Sequence, residues 1–154
     1  MQQARIETVR QPAARPVVQS PIQSPARSLT RAAGPALTEA MVGDLVRHLY
    51  GRVHDDALLG PMFRMAAPDW EEHLEEVTDF WSHVLLGTGR YEGGIMGLTG
   101  TLRMKPAHFE RWMALFRASA ETLLPPGACR QAFDAASVID LRLRAWQAQL
   151  QQPD

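Results

Sequence analysis

Between Asp69 and Leu86 the chain reads DWEEHLEEVTDFWSHVLL, with apolar residues recurring at three- and four-residue intervals. At about 100° per residue, Trp70, His73, Leu74, Val77, Phe80, Trp81 and Val84 share one helical face, and Glu71, Glu75, Glu76 and Asp79 fall elsewhere. A stripe of this width has to be covered by other elements, so the segment can exist only inside a packed helical fold. It also commits an imidazole to the interior beside two indoles and a phenyl ring. An interior His needs a hydrogen-bonding neighbour, or a ligand or metal to face. His83 points away from this stripe.

The same period recurs in other segments. Thr38 is a good N-cap for a helix carrying Val42, Leu45, Val46, Leu49 and Val53 to about His54, with Tyr50 beside that stripe. Leu58-Leu59-Gly60-Pro61-Met62-Phe63 predicts a tight apolar corner stopped by Gly-Pro. Asp69 and Glu72 resemble a capping box for the His73 helix, and Gly87 ends it. Six glycines between Gly87 and Gly100 predict a loop with at most one or two helical turns around Ile95–Leu98. Pro106 suits a first turn; Phe109, Trp112, Met113, Phe116, Ala120 and Leu123 then share a face up to Leu124. Pro125-Pro126-Gly127 predicts a break. The last helix should run from about Cys129 to Gln151 on a seam of Ala132, Ala136, Ile139, Leu143, Trp146 and Leu150. No strand alternation or internal repeat interrupts this pattern, so the expectation is an all-α domain of four substantial helices and a weak fifth segment.

The first 36 residues differ. Pro12, Pro16, Pro21, Pro25 and Pro35 punctuate Gln, Ser, Ala and Arg, and five arginines against Glu7 give this arm a charge of +4, leaving −5 on the rest. Prolines so spaced oppose an amphipathic transit helix, and no apolar core of a secretory signal is present, so residues 1–36 are expected to be a disordered tail and 37–151 the folded domain. A net charge of −1 gives no nucleic-acid footprint. The single Cys129 allows no internal disulfide and no Cys metal cluster, which fits a reducing cytoplasm. No apolar run approaches the ~20 residues of a membrane span. P-loop, dinucleotide-binding, His-Glu-x-x-His and Cys-x-x-Cys motifs are absent.

Four features stand in order: Tyr50 near the end of the first helix; Phe63 after the Gly-Pro corner; His73 in Trp-x-x-His with Phe80-Trp81 two turns on; and Trp112 in HFERW, one turn after Phe109. With LYGRVHDDALLGPMF, WEEHLEEVTDFWSHVLLGTGRYEGG and HFERWMALF, this set resembles the group III truncated haemoglobins over roughly residues 37 to 150. The resemblance implies a two-over-two helical sandwich holding haem b, with Tyr50, Phe63, His73, Phe80, Phe109 and Trp112 around the cofactor. It implies a small diatomic gas, dioxygen or nitric oxide, as ligand. Nitric oxide dioxygenase or peroxidase-like turnover would need electrons from a separate reductase. Tyr O–H and indole N–H are suitable donors to a polar gas in a dry pocket.

The chain departs from the family at the iron. The counterpart of the proximal His is Thr99, and that of a nearby Pro is Ile95. A Thr hydroxyl is a poor iron ligand. Three readings of His73 stay open: replacement axial ligand, distal donor, or hydrogen-bonded core residue. His108 reads as a packing or capping residue ahead of an iron ligand, and Met96 and Met104 as filler ahead of thioether ligands. Trp81, Phe116 and Trp146 read as core, and His48, His54 and His83 as surface. The alternative to a haem protein is a globin-fold structural or interaction module that has lost its ligand and its haem.

Overall fold

Thr38 caps the first helix as its side chain predicts, accepting from the Met41 N–H at 3.3 Å. In this computed structural model, which describes residues 35–99 and 102–152, α1 is Glu39–Asp55. The expected tail falls almost wholly outside the described residues. Val42, Leu45, Val46, Leu49, Tyr50 and Val53 are all buried, because α1 has a helix on each side.

Asp56 ends α1 and starts the next turn. Its Oδ1 accepts from the N–H groups of Leu58 and Leu59, both at 3.0 Å, and its Oδ2 accepts from Arg111 Nε at 2.7 Å. Burial would raise this carboxyl, but those two amides and the guanidinium outweigh it and hold it below the usual carboxylate range. The Gly60-Pro61 pair does not stop a corner. It begins a helix, α2 (Gly60–Ala66), with Pro61 in the first turn, where its missing N–H is not needed. Only glycine fits at 60, since a Cβ there would lie 2.5 Å from the His54 carbonyl oxygen.

The His73 segment forms α3 (Trp70–Leu86). Asp69 Oδ1 accepts from the Glu72 N–H at 3.1 Å, but Glu72 does not reach back, so half of the expected capping box forms. Gly87 closes the helix in the left-handed region at φ 65°. Leu74, Val77, Phe80 and Trp81 are buried as the period predicts, and Ser82 and Leu85 join them. Val84, expected inside, is 38% exposed along a surface groove shared with Val138. Helical spacing fixes direction; it does not say where a covering neighbour ends.

The glycine-rich stretch yields one short helix, α4 (Gly94–Thr99), within the turn or two expected. Pro106 opens α5 (Pro106–Leu123), and His108 Nδ1 caps it by accepting from the Lys105 N–H at 2.9 Å. Leu115 and Ser119 are buried on α5, whereas Leu123 is exposed. The Pro125-Pro126 break is shorter than expected: α6 runs Pro126–Leu150, with Pro126 in its first turn. Ala128, Ala132 and Ala136 lie on its buried face, and small side chains there let α5 and α6 approach closely. Toward its end the seam turns. Gln147 is buried, its Nε2 donating to the Leu102 carbonyl at 2.7 Å, while Trp146 is half-buried and Leu150 exposed.

The helices form a two-over-two sandwich. α1 pairs with α3 and α5 with α6; α1 lies against α5, and α3 reaches α6. Two histidines expected at the surface are partly covered: His48 Nδ1 lies 2.9 Å from Ser119 Oγ, and the His54 ring sits 4.8 Å from that of Trp70. Among the described residues no helix is long and apolar enough to cross a membrane.

Replacing Asp56 by Ala removes a turn anchor and the Arg111 pair together. We expect a loss of about 1–2 kcal/mol in urea unfolding with an unchanged m-value. An unaltered midpoint would refute this account of the α1–α2 junction.

Candidate functional site

The interior of the sandwich is not filled. About 540 Å³ of space, its open mouth included, lies between side chains of the two helix pairs. The cavity itself is a narrow slot of about 40 Å³. One wall comes from α1, α2, α3 and α5, and is aromatic. Tyr50, Phe63, His73, Phe80, Phe109 and Trp112 all line this cavity, so the structure brings together the six residues singled out from the sequence. Trp81 joins them. The rest of the lining comes from α4, residues 102–105 and α6, and is mostly aliphatic: Leu98, Leu102, Met104, Ile139 and Leu143, with Asp140 among them.

The polar groups of the aromatic wall are few and dry. Tyr50 is buried, its ring edge-on to Phe63 at 6.4 Å and to His73 at 6.0 Å. Burial pushes its hydroxyl up to about 12, although the indoles of Trp81 and Trp112 approach it and pull the other way. It is therefore a protonated donor at any physiological pH. Trp81 and Trp112 stack at 6.3 Å with 16° between planes, and both rest on Phe116 at 5.3 and 5.4 Å. The cluster fixes the cavity floor.

His73 stands over this floor between Tyr50 and Trp70, whose ring is 5.3 Å away. Its Nε2 is buried and has no hydrogen-bond partner. Desolvation lowers its pKa, with Glu76 pulling weakly the other way, so the imidazole is held neutral. A core histidine satisfied by its neighbours is not what this geometry supports. An unpaired buried nitrogen costs about 1–3 kcal/mol unless something fills the site it faces.

The remaining candidates lie elsewhere or are otherwise engaged. His108 caps α5. Thr99 is the last residue of α4. Met104 is 5% exposed and lines the cavity, so its thioether is at least in place. Asp140 was missed from the sequence: it interrupts the apolar seam of α6 between Ile139 and Leu143, and only its place in that register pointed inward. Among the described residues no three His, Cys, Asp or Glu side chains gather around a common point, so no metal cage exists apart from this slot.

A two-over-two α sandwich with an aromatic slot between its helix pairs defines a truncated globin. The comparisons agree. The chain is 32% identical over 90 residues to group 3 truncated hemoglobin ctb of Campylobacter jejuni, covering 54% of this chain and 69% of that one. It superposes on the crystal structure of the group III truncated hemoglobin from Campylobacter jejuni with a TM-score of 0.68 at 25% identity, covering 74% of this chain and 94% of the other. No protein-family model matches. The chain belongs to the group III truncated haemoglobins.

The depressed pKa of His73 has a consequence for stability. Above pH 6.5 the imidazole is neutral in both states and its contribution is complete. As pH falls through 6.5 toward the lower folded value, the unfolded chain takes up the proton first and stability is lost. We expect the melting temperature to decline just below pH 6.5, and His73→Phe to flatten that decline. Parallel curves for the two proteins would show that His73 titrates as a solvated group.

Proposed function

We propose that this protein binds a haem in the slot, with His73 Nε2 as the iron ligand, and there takes up a diatomic gas, dioxygen or nitric oxide. The observation that carries the reading is the buried, unpartnered Nε2 of a neutral imidazole on the wall of an aromatic slot. The donor set fits the group. His, Tyr and Met are the side chains that ligate haem iron, and His73, Tyr50 and Met104 all line the cavity. Thr99, at the position where the family has its proximal His, offers only a hydroxyl.

When bound, haem supplies an iron centre able to take a gas. The rest falls to the protein. Tyr50 and Trp112 lie on the wall of His73, so with His73 on the iron their O–H and N–H groups would order that imidazole and its surroundings rather than reach the gas. Phe63 and Phe80 offer ring surface to a flat macrocycle and keep water out. The indoles of Trp81 and Trp112 approach the Tyr50 hydroxyl and hold it in place beside His73. Redox turnover of nitric oxide or peroxide would need a separate electron donor.

A second reading has its own observation. The slot is narrow, and the chain lacks a basic side chain at position 99. A haem-free globin-fold module that recognises another protein or small molecule would look the same.

Hemin titration separates the two. A Soret band saturating at one equivalent is expected, and His73→Ala should lose the haem. Retained haem with an altered spectrum in His73→Ala would make His73 a donor rather than the ligand. A folded, colourless protein whose melting temperature hemin leaves unchanged would establish the haem-free module. Thr99→His should then recover a five-coordinate spectrum if only the ligand had been lost.

A further inference from the structure

The cavity lining holds a second orphaned polar atom. Asp140 is 8% exposed and lines the slot. Its Oδ2 accepts from Arg144 Nε at 2.9 Å, one turn along α6. Its Oδ1 is buried and has no partner. Buried carboxylate oxygens are nearly always hydrogen-bonded, so an empty one in a cavity wall marks something left to be bound.

Among the described residues no side chain supplies the missing donor. Leu102, Met104, Ile139 and Leu143, which line the same cavity, have no donor in their side chains. Gln147, the next buried polar residue along α6, is committed to the Leu102 carbonyl. Arg144 already gives its Nε to Oδ2, and its guanidinium lies over the Phe109 ring at 5.1 Å. The Arg144–Asp140 pair is neutral overall, so Oδ1, still a carboxylate oxygen, suits a neutral N–H better than a second cation. A cavity lined by Tyr50, Phe63, Phe80, Phe109 and Trp112 suits a flat ring that packs on theirs.

We propose that Asp140 Oδ1 anchors a ligand subsite on the α4–α6 wall, and that its ligand is a flat, neutral ring bearing an N–H, of the indole or azole kind. The subsite rests on Asp140 and not on the haem reading, but it lines the same cavity, so under that reading hemin added first should block the ring.

The test compares indole with indene, which has the same shape and no N–H, by ligand-observed NMR and calorimetry on the full chain. Neither probe has a basic nitrogen, so neither ligates iron, and failure of the haem reading leaves the result unchanged. Indole should bind tighter than indene by roughly ten- to a hundredfold, the worth of a hydrogen bond to a charged acceptor. Asp140→Leu should bring the two affinities together. Asp140→Asn keeps the shape if the Leu variant fails to fold, and should shrink the ratio. Equal affinities in the wild-type protein mean that water satisfies Oδ1, and overturn the proposal. So do a preference that survives both substitutions and the absence of indole binding.

Discussion

The stack of Trp81 on Trp112 is the contact on which the site depends. One indole comes from α3 and the other from α5, and both lie on Phe116. Each aromatic side chain of this size buries about 150–250 Å², so the stack joins the two helix pairs with more area than aliphatic contacts could. Rigid rings also leave gaps that branched chains would fill. With three large rings locked on one side, Tyr50 is held above them, and the space beyond stays open because the rest of the lining is built of shorter aliphatic side chains. Stability and cavity thus come from the same interaction.

Much of this architecture follows from periodicity alone. The faces of α1, α3 and α5 could be read residue by residue, because each helix is buried on the side its apolar spacing marks. Errors gathered where a neighbour, rather than the helix itself, decides burial. Val84 has the right direction and little cover; Trp146 yields the interior to Gln147, whose amide donates to the Leu102 carbonyl. Gly60-Pro61 and Pro125-Pro126 read as stops, and each also starts a helix, since Pro61 and Pro126 sit where the first-turn N–H is free. Within the site, periodicity marks His73, Phe80, Phe109 and Trp112 as facing inward, while Tyr50 and Phe63 are singled out only by the resemblance to the group III truncated haemoglobins. Asp140 could be found neither way: a charged residue in an apolar seam reads as a surface flank until Arg144, one turn away, is seen to neutralise it.

The slot is chemically asymmetric. Its aromatic wall carries donors, the Tyr50 hydroxyl and the indoles, together with a neutral imidazole. Its aliphatic wall carries a single acceptor. Two buried polar atoms, His73 Nε2 and Asp140 Oδ1, are unpaired on different walls of one cavity. Orphan groups of this kind lower stability, and two in so small a fold are a burden that packing elsewhere must offset. Replacing either by an apolar side chain would relieve it. Their presence in an otherwise apolar lining is therefore better explained by an occupant than by the requirements of folding.

α4 is where the fold has least invested. It is six residues long and glycine-rich, and its main neighbours are α3 and α6, whereas α1 and α5 are packed on both sides. A substitution on α4 therefore disturbs fewer neighbours than one on the helices that carry Tyr50, His73 and Trp112. The aromatic wall has no such freedom, because its site residues are also its core residues: to change Trp112 is to unstack Trp81 and uncover Phe116. The asymmetry in packing leaves α4 freer to vary than the aromatic wall, whose rings hold the two helix pairs together.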